Sequence, residues 1–169
     1  SLVRSERMHE AFLAANKAGK VDHWGISSHQ NTRAVLQAAS ETGWYSLAQI
    51  AITPAGWYDW TTRTVLSDSP PMATLRPTLD KAREAGIGLI GMKAGRYLAG
   101  SLLGYGPDRP TAFDAHYDAK LLQAKLSAFQ RSYAFVRAHG LDAVNADSQS
   151  LEQLRENHLA AATSDSYFA

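Results

Sequence analysis

The sequence predicts an α/β protein with four parallel strands and outer helices. Four apolar runs of strand length alternate with five helical periods in the order α-β-α-β-α-β-α-β-α. The segments between successive strand runs are long enough for parallel crossovers. Four of the five helical periods stop at a glycine, where a left-handed C-terminal residue costs little.

The first helix, about Val3 to Ala18, sets Met8, Ala11, Phe12 and Ala15 on one face and Arg4, Glu6, Arg7 and Glu10 on the wet one, and ends at Gly19. Val21 to Ser27, with Trp24 and Ile26, reads as a strand. The polar run Ser27-Ser28-His29-Gln30-Asn31 closes it as a loop and helix cap. The second helix, Thr32 to Thr42, is expected to bury Ala34, Val35, Ala38 and Ala39 before Gly43. Tyr45 to Ile52 is a second strand, apolar apart from Ser46 and Gln49, and Pro54 ends its capacity to donate ladder hydrogen bonds.

Residues from about Ala55 to Met72 carry Trp57, Tyr58, Trp60 and the Pro70-Pro71 break without a helical period, the mark of a long loop that is either functional or disordered. The helix from Ala73 to Ala85 accepts Pro77 near its first turn, packs Leu75, Leu79 and Ala82 inward, and stops at Gly86. Ile87 to Met92 is the third strand. Lys93 to Thr111, punctuated by Gly95, Gly100, Gly104, Gly106, Pro107 and Pro110, is expected to be a mobile loop. The longest helix, Ala115 to His139, aligns Leu122, Leu126, Phe129, Tyr133 and Val136 and ends at Gly140. Leu141 to Asn145 is the fourth strand. Leu151 to Ala162 is the last helix, with Glu152 complementing its dipole.

Composition narrows the function. The 169 residues are enough for one domain with its own core but short of the roughly 250 of a full (β/α)8 barrel. Seventeen basic against sixteen acidic residues, net +1, supply no field to hold nucleic acid or an anionic membrane. The absence of cysteine excludes disulfides, thiolate metal sites and a cysteine nucleophile in this chain, and suits a reducing, cytoplasmic setting. No apolar run reaches the length of a membrane span. The six histidines lack zinc spacing and read as surface or cap residues, and no G-x-S-x-G elbow is present. Periodicity leaves two architectures open, a small doubly wound sheet or half of a closed barrel.

Ala18-Gly19-Lys20-Val21 through Gly25-Ile26-Ser27-Ser28-His29 resembles a segment of the aldo-keto reductase family, where a similar run leads into the fifth strand. In order along the chain, Val35 to Ala39, Gly43-Trp44 and Ala48-Gln49-Ile50 resemble that family's fifth helix and sixth strand. Ala85 to Lys93 resembles its seventh strand. Leu141 to Val144 with Ser150 to Asn157 resembles its eighth strand and the helix after it. The resemblance implies the C-terminal half of a TIM (β/α)8 barrel, whose parent enzyme transfers hydride between NADP(H) or NAD(H) and a small-molecule carbonyl or alcohol. It begins just before strand five, and the chain opens on Ser rather than Met. The family's catalytic tetrad is therefore expected on polypeptide outside this numbering, and no residue here is assigned a catalytic role.

What the resemblance implies residue by residue is a cofactor set. Ser27 and Ser28 stand where the family's Ser-Asn pair holds the nicotinamide carboxamide, with Ser28 departing from Asn, and a helix cap is their plainer reading. Gln49 matches the family's carboxamide-binding Gln, and a buried amide needs such a partner. Met92 stands where many relatives stack an aromatic ring. Lys93, with Gly95 and Arg96, could meet the pyrophosphate, or simply be solvated surface. Ser148, Gln153, Glu156 and Asn157 fall where relatives grip the adenosine end. Asp147 and Gln153 replace the Lys and Arg of NADPH-using relatives, which favours NADH, with Arg155 as a possible substitute. Trp57, Tyr58 and Trp60 are expected to wall the substrate pocket or to cover the core. The partner expected is the missing N-terminal half or a second copy of the chain. The alternative is a non-catalytic half-barrel that binds a nucleotide or a protein, as in the ion-channel-associated branch of the family.

Overall fold

A computed structural model describes residues 2–98, 109–146, 148 and 150–163. Most of the punctuated stretch after Lys93, including Gly100, Gly104, Gly106 and Pro107, lies outside these residues, as does Asp147.

The chain folds as a mixed α/β protein on a mostly parallel sheet. Helix α1 (Glu6–Lys17) is followed by strand β1 (Gly25–Ser28), helix α2 (Thr32–Thr42) and strand β2 (Leu47–Thr53). Two short strands, β3 (Gly56–Asp59) and β4 (Thr64–Val65), precede helix α3 (Arg76–Glu84) and strand β5 (Gly88–Met92). Helices α4 (Ala119–Gln123) and α5 (Ala128–Ala138), strand β6 (Ala143–Asn145) and helix α6 (Leu151–Thr163) complete it. The four predicted strands are β1, β2, β5 and β6, paired parallel and in chain order: β1 with β2, β2 with β5, β5 with β6.

That register sorts side chains onto two unlike faces, because neighbours in a parallel ladder point the same way and alternate along each strand. Ala48, Ile50, Ile52 and Leu89 point to one face and are fully buried, in a single core with Leu36 and Ala39 of α2, Leu79 and Ala82 of α3, Val136 of α5 and Ala160 of α6. The opposite face presents Ser27, Leu47, Gln49, Ile90, Ala143 and Asn145, all exposed or half-buried. Leu47 is 40% exposed there, spread over the Cα positions of Gly25 and Gly88 on either side. The helix side of the sheet is sealed, whereas the other side is open except where Tyr58 of β3 buries Ala51 and Met92.

Four expectations are corrected. The long loop after β2 contains a hairpin: β2 runs on beyond the parallel sheet and pairs antiparallel with β3, which pairs with β4. The predicted helix from Ala115 to His139 is three pieces, a 3-10 turn at Asp114–His116, then α4, then α5. Ala124 turns extended at the end of α4, and Ser127 starts α5 with a capping box in which Ser127 Oγ accepts from Gln130 N and Gln130 Oε1 accepts from Ser127 N. In α2 the buried residues are Thr32, Leu36, Ala38 and Ala39, whereas Ala34 is exposed and Val35 half-buried, so the apolar stripe is rotated by about a fifth of a turn from the expected one. Helix α1 buries no residue completely. Its apolar side lies on a slab of rings, His9 stacking on Trp44 with centroids 4.3 Å apart and Phe12 on Trp24 at 5.2 Å.

Candidate functional site

A cleft of about 400 Å³ opens at the carboxyl ends of the parallel strands, where loops are free to converge on a ligand. Each strand contributes to it: His29 just beyond β1, Gln49 from β2, Met92 and Lys93 at the end of β5, Asn145 and Ala146 at the end of β6. Phe129 and Tyr133 of α5, Gln153 of α6 and Trp60 from the hairpin form walls.

Local structure fixes these walls. Asp59 Oδ1 accepts from Thr61 N at 2.6 Å and Thr62 N at 3.4 Å, turning the chain sharply after β3. The turn docks on the β1–α2 loop, where Trp60 N donates to the His29 carbonyl and Gln30 Nε2 donates to Thr61 Oγ1. On the far side, Ser132 Oγ donates to the Ala94 carbonyl at 2.8 Å and ties α5 to the segment after β5. Gly95 has to be glycine at this contact, because a Cβ there would lie 2.7 Å from both Phe129 Cδ1 and the Tyr133 hydroxyl.

Inside the cleft the chemistry is cationic, aromatic and amide. Lys93 and Arg96 line it, and no carboxylate does so among the described residues. Lys93 Nζ sits 4.5 Å from the centre of the Trp60 ring, and the backbone of Lys93 is left-handed, with φ 69°. His29 meets Trp60 edge-on at 5.7 Å. Burial lowers the His29 pKa below its ordinary value and the Lys93 ammonium lowers it further, so the imidazole is held neutral. The half-buried Gln49 amide donates from Nε2 to Met92 Sδ at 3.3 Å, a weak acceptor, and its carbonyl oxygen has no hydrogen-bond partner among the described residues.

The sequence-predicted residues divide. Gln49, Met92, Lys93, Gln153 and Trp60 come together in the cleft. Ser27 lies beside Gln49 in the register, on the same open face, but outside the cleft wall. Ser28 points to the helix side, 6% exposed, and its hydroxyl donates to the Gln30 carbonyl at 2.5 Å as a turn cap. Asn157 Nδ2 donates to Ser148 Oγ at 2.7 Å, and Asn157 lines a neighbouring crevice of about 280 Å³ with Arg137 and Asp142. Glu156 gives its backbone carbonyl to Gln130 Nε2 and does not line the cleft.

Among the loop aromatics, Trp57 is packed in the main core and Tyr58 lies beneath the cleft with Ala51 and Met92, where burial raises its hydroxyl pKa. Neither lines the cleft: Trp57 faces the helix-side core with its register partner Ile52, and Tyr58, next in β3, faces the other side of the sheet and packs on Ala51 and Met92. His29, Phe129, Tyr133 and Asn145 were not anticipated as site residues. The position of His29 in a polar run directly after a strand was the one available signal for it.

No protein-family model matches this chain, and no curated protein matches it significantly.

Proposed function

We propose that this chain is the C-terminal half of an aldo-keto-reductase-type (β/α)8 barrel and supplies the nicotinamide-dinucleotide face of an oxidoreductase site. The observation that carries the reading is the half-buried Gln49 carboxamide on the open face of a parallel sheet, one N–H spent on a thioether and its oxygen without a partner among the described residues. A ligand carboxamide brings one acceptor and two donors, the complement of what Gln49 lacks. The sheet order also supports it. Strands added always on the same side place every crossover helix on one face, and closing such a sheet turns its other face inward. Parallel sheets are otherwise covered on both faces. Leu47 between Gly25 and Gly88 then fills the amino-terminal mouth of the barrel as a large residue between small ones.

A nicotinamide dinucleotide would supply the hydride. In this reading Gln49 orients the carboxamide, Met92 lies under the ring, Arg96 and the turn it belongs to meet the diphosphate, and Gln153 of α6 faces the adenosine side. Arg96 in a lining that holds no carboxylate among the described residues fits a diphosphate. Proton delivery to the carbonyl oxygen is assigned to groups on the complementary half of the barrel.

The test is a fluorescence titration of the chain with NADH and NADPH. Saturable binding is expected for both, with NADPH no tighter than NADH. Gln49→Leu should weaken NADH by about tenfold, equivalent to one charge-free hydrogen-bond pair left unmade. Absence of saturable binding, or an unaltered Gln49→Leu titration, overturns the reading.

A further inference from the structure

We infer that the rim of the cleft formed by Lys93, Trp60 and His29 is a binding site for a planar carboxylate; under the hydride-transfer reading above, on which the word substrate rests, the substrate is a carbonyl compound bearing a carboxylate next to a flat unsaturated group. The driving observation is an unbalanced charge. Lys93 is half-buried, and among the described residues no carboxylate pairs with it. The partner it does have is the π-face of Trp60, which attracts a cation but leaves its N–H donors unused.

The backbone adds a second observation. Lys93 holds a left-handed conformation that a non-glycine residue adopts only when its surroundings impose it, and such residues concentrate at ligand sites.

The neighbours define the ligand's shape as well as its charge. Trp60 is 37% exposed, and His29, held neutral, has an N–H to donate without adding a competing charge. An ammonium and an imidazole N–H beside one indole suit a carboxylate attached to a ring: the oxygens face the two donors and the ring lies along the indole.

Benzoate is the probe, with benzamide as its neutral counterpart, followed by the indole N–H resonances of the uniformly 15N-labelled chain. Titration with benzoate should move one of the four indole signals, the one removed by Trp60→Phe, and benzamide should bind about tenfold more weakly or not at all. Lys93→Gln should weaken benzoate by about tenfold and Lys93→Arg should restore most of it, with the Trp57 indole signal reporting an intact core in each variant. Saturating benzoate should leave NADH affinity unchanged. Equal response to benzamide, no response of the Trp60 signal, or displacement of benzoate by NADH each overturns the inference. Benzoate binding without NADH binding would retain the carboxylate site and reject the dinucleotide reading, and the reverse result would do the opposite.

Discussion

His29 is the residue whose setting departs most from what its type predicts. It sits in a polar run that reads as loop, yet it is half-buried, edge-on to Trp60 and within the field of the Lys93 ammonium. Its partners are more than thirty residues away, so no local pattern could reveal them. Both burial and Lys93 disfavour its charged form, and the folded-state pKa is therefore lower than the unfolded value of 6.5. The stability linked to this group is fully present above that value and is lost as pH falls through the folded pKa. Urea unfolding midpoints should fall from about pH 7.5 to about pH 5, and His29→Gln should flatten that part of the profile. An identical slope in the variant would mean that other groups carry the dependence. Gln49 was legible for the opposite reason: a lone amide in an apolar strand is an anomaly visible within its own seven residues.

At the level of elements, legibility followed punctuation. Helix α2 begins and ends where Asn31 and Gly43 predict, and both carry the left-handed backbone that those residue types tolerate. The break between α4 and α5 has neither glycine nor proline, and the apolar period runs across it, so the pattern reads as one helix. The one local signal was Ser127 three residues before Gln130, a capping box inside an apparently continuous period. The hairpin after β2 was hidden because strands of four and two residues are too short for alternation to register. Gln130 has a further duty: its Nε2 donates to the Glu156 carbonyl and pins α6 to α5. Ser127→Ala should cost about 1 kcal/mol, the usual price of an N-cap. Gln130→Ala should cost roughly twice that, since it loses cap and tether together. Urea midpoints measure both, and faster amide exchange in α6 should accompany only the Gln130 variant.

On the scale of the whole molecule, the two faces of the sheet make opposite demands on adjacent residues of one strand. Leu89 is fully buried against the helices and Ile90 lies half-buried on the open side. Leu89→Lys should cost more than about 4 kcal/mol and abolish cooperative unfolding, because a charge would enter a packed core. Ile90→Lys should cost less than about 1 kcal/mol, its stem lying on the sheet and its ammonium reaching water. Comparable losses from both would mean that the open side is covered in solution. Among the described residues no helix is long and apolar enough to cross a membrane.

The ring slab beneath α1 has an optical corollary. Trp24 and Trp44 are held 6.5 Å apart with their planes only 7° from parallel, and His9 lies over both. Two indoles so aligned share their excited states, and the alignment lasts only while the amino-terminal helix remains seated on strands whose own hydrogen bonds do not involve it. Detachment of this helix would thus register in the circular dichroism of the two tryptophans without requiring any loss of strand signal.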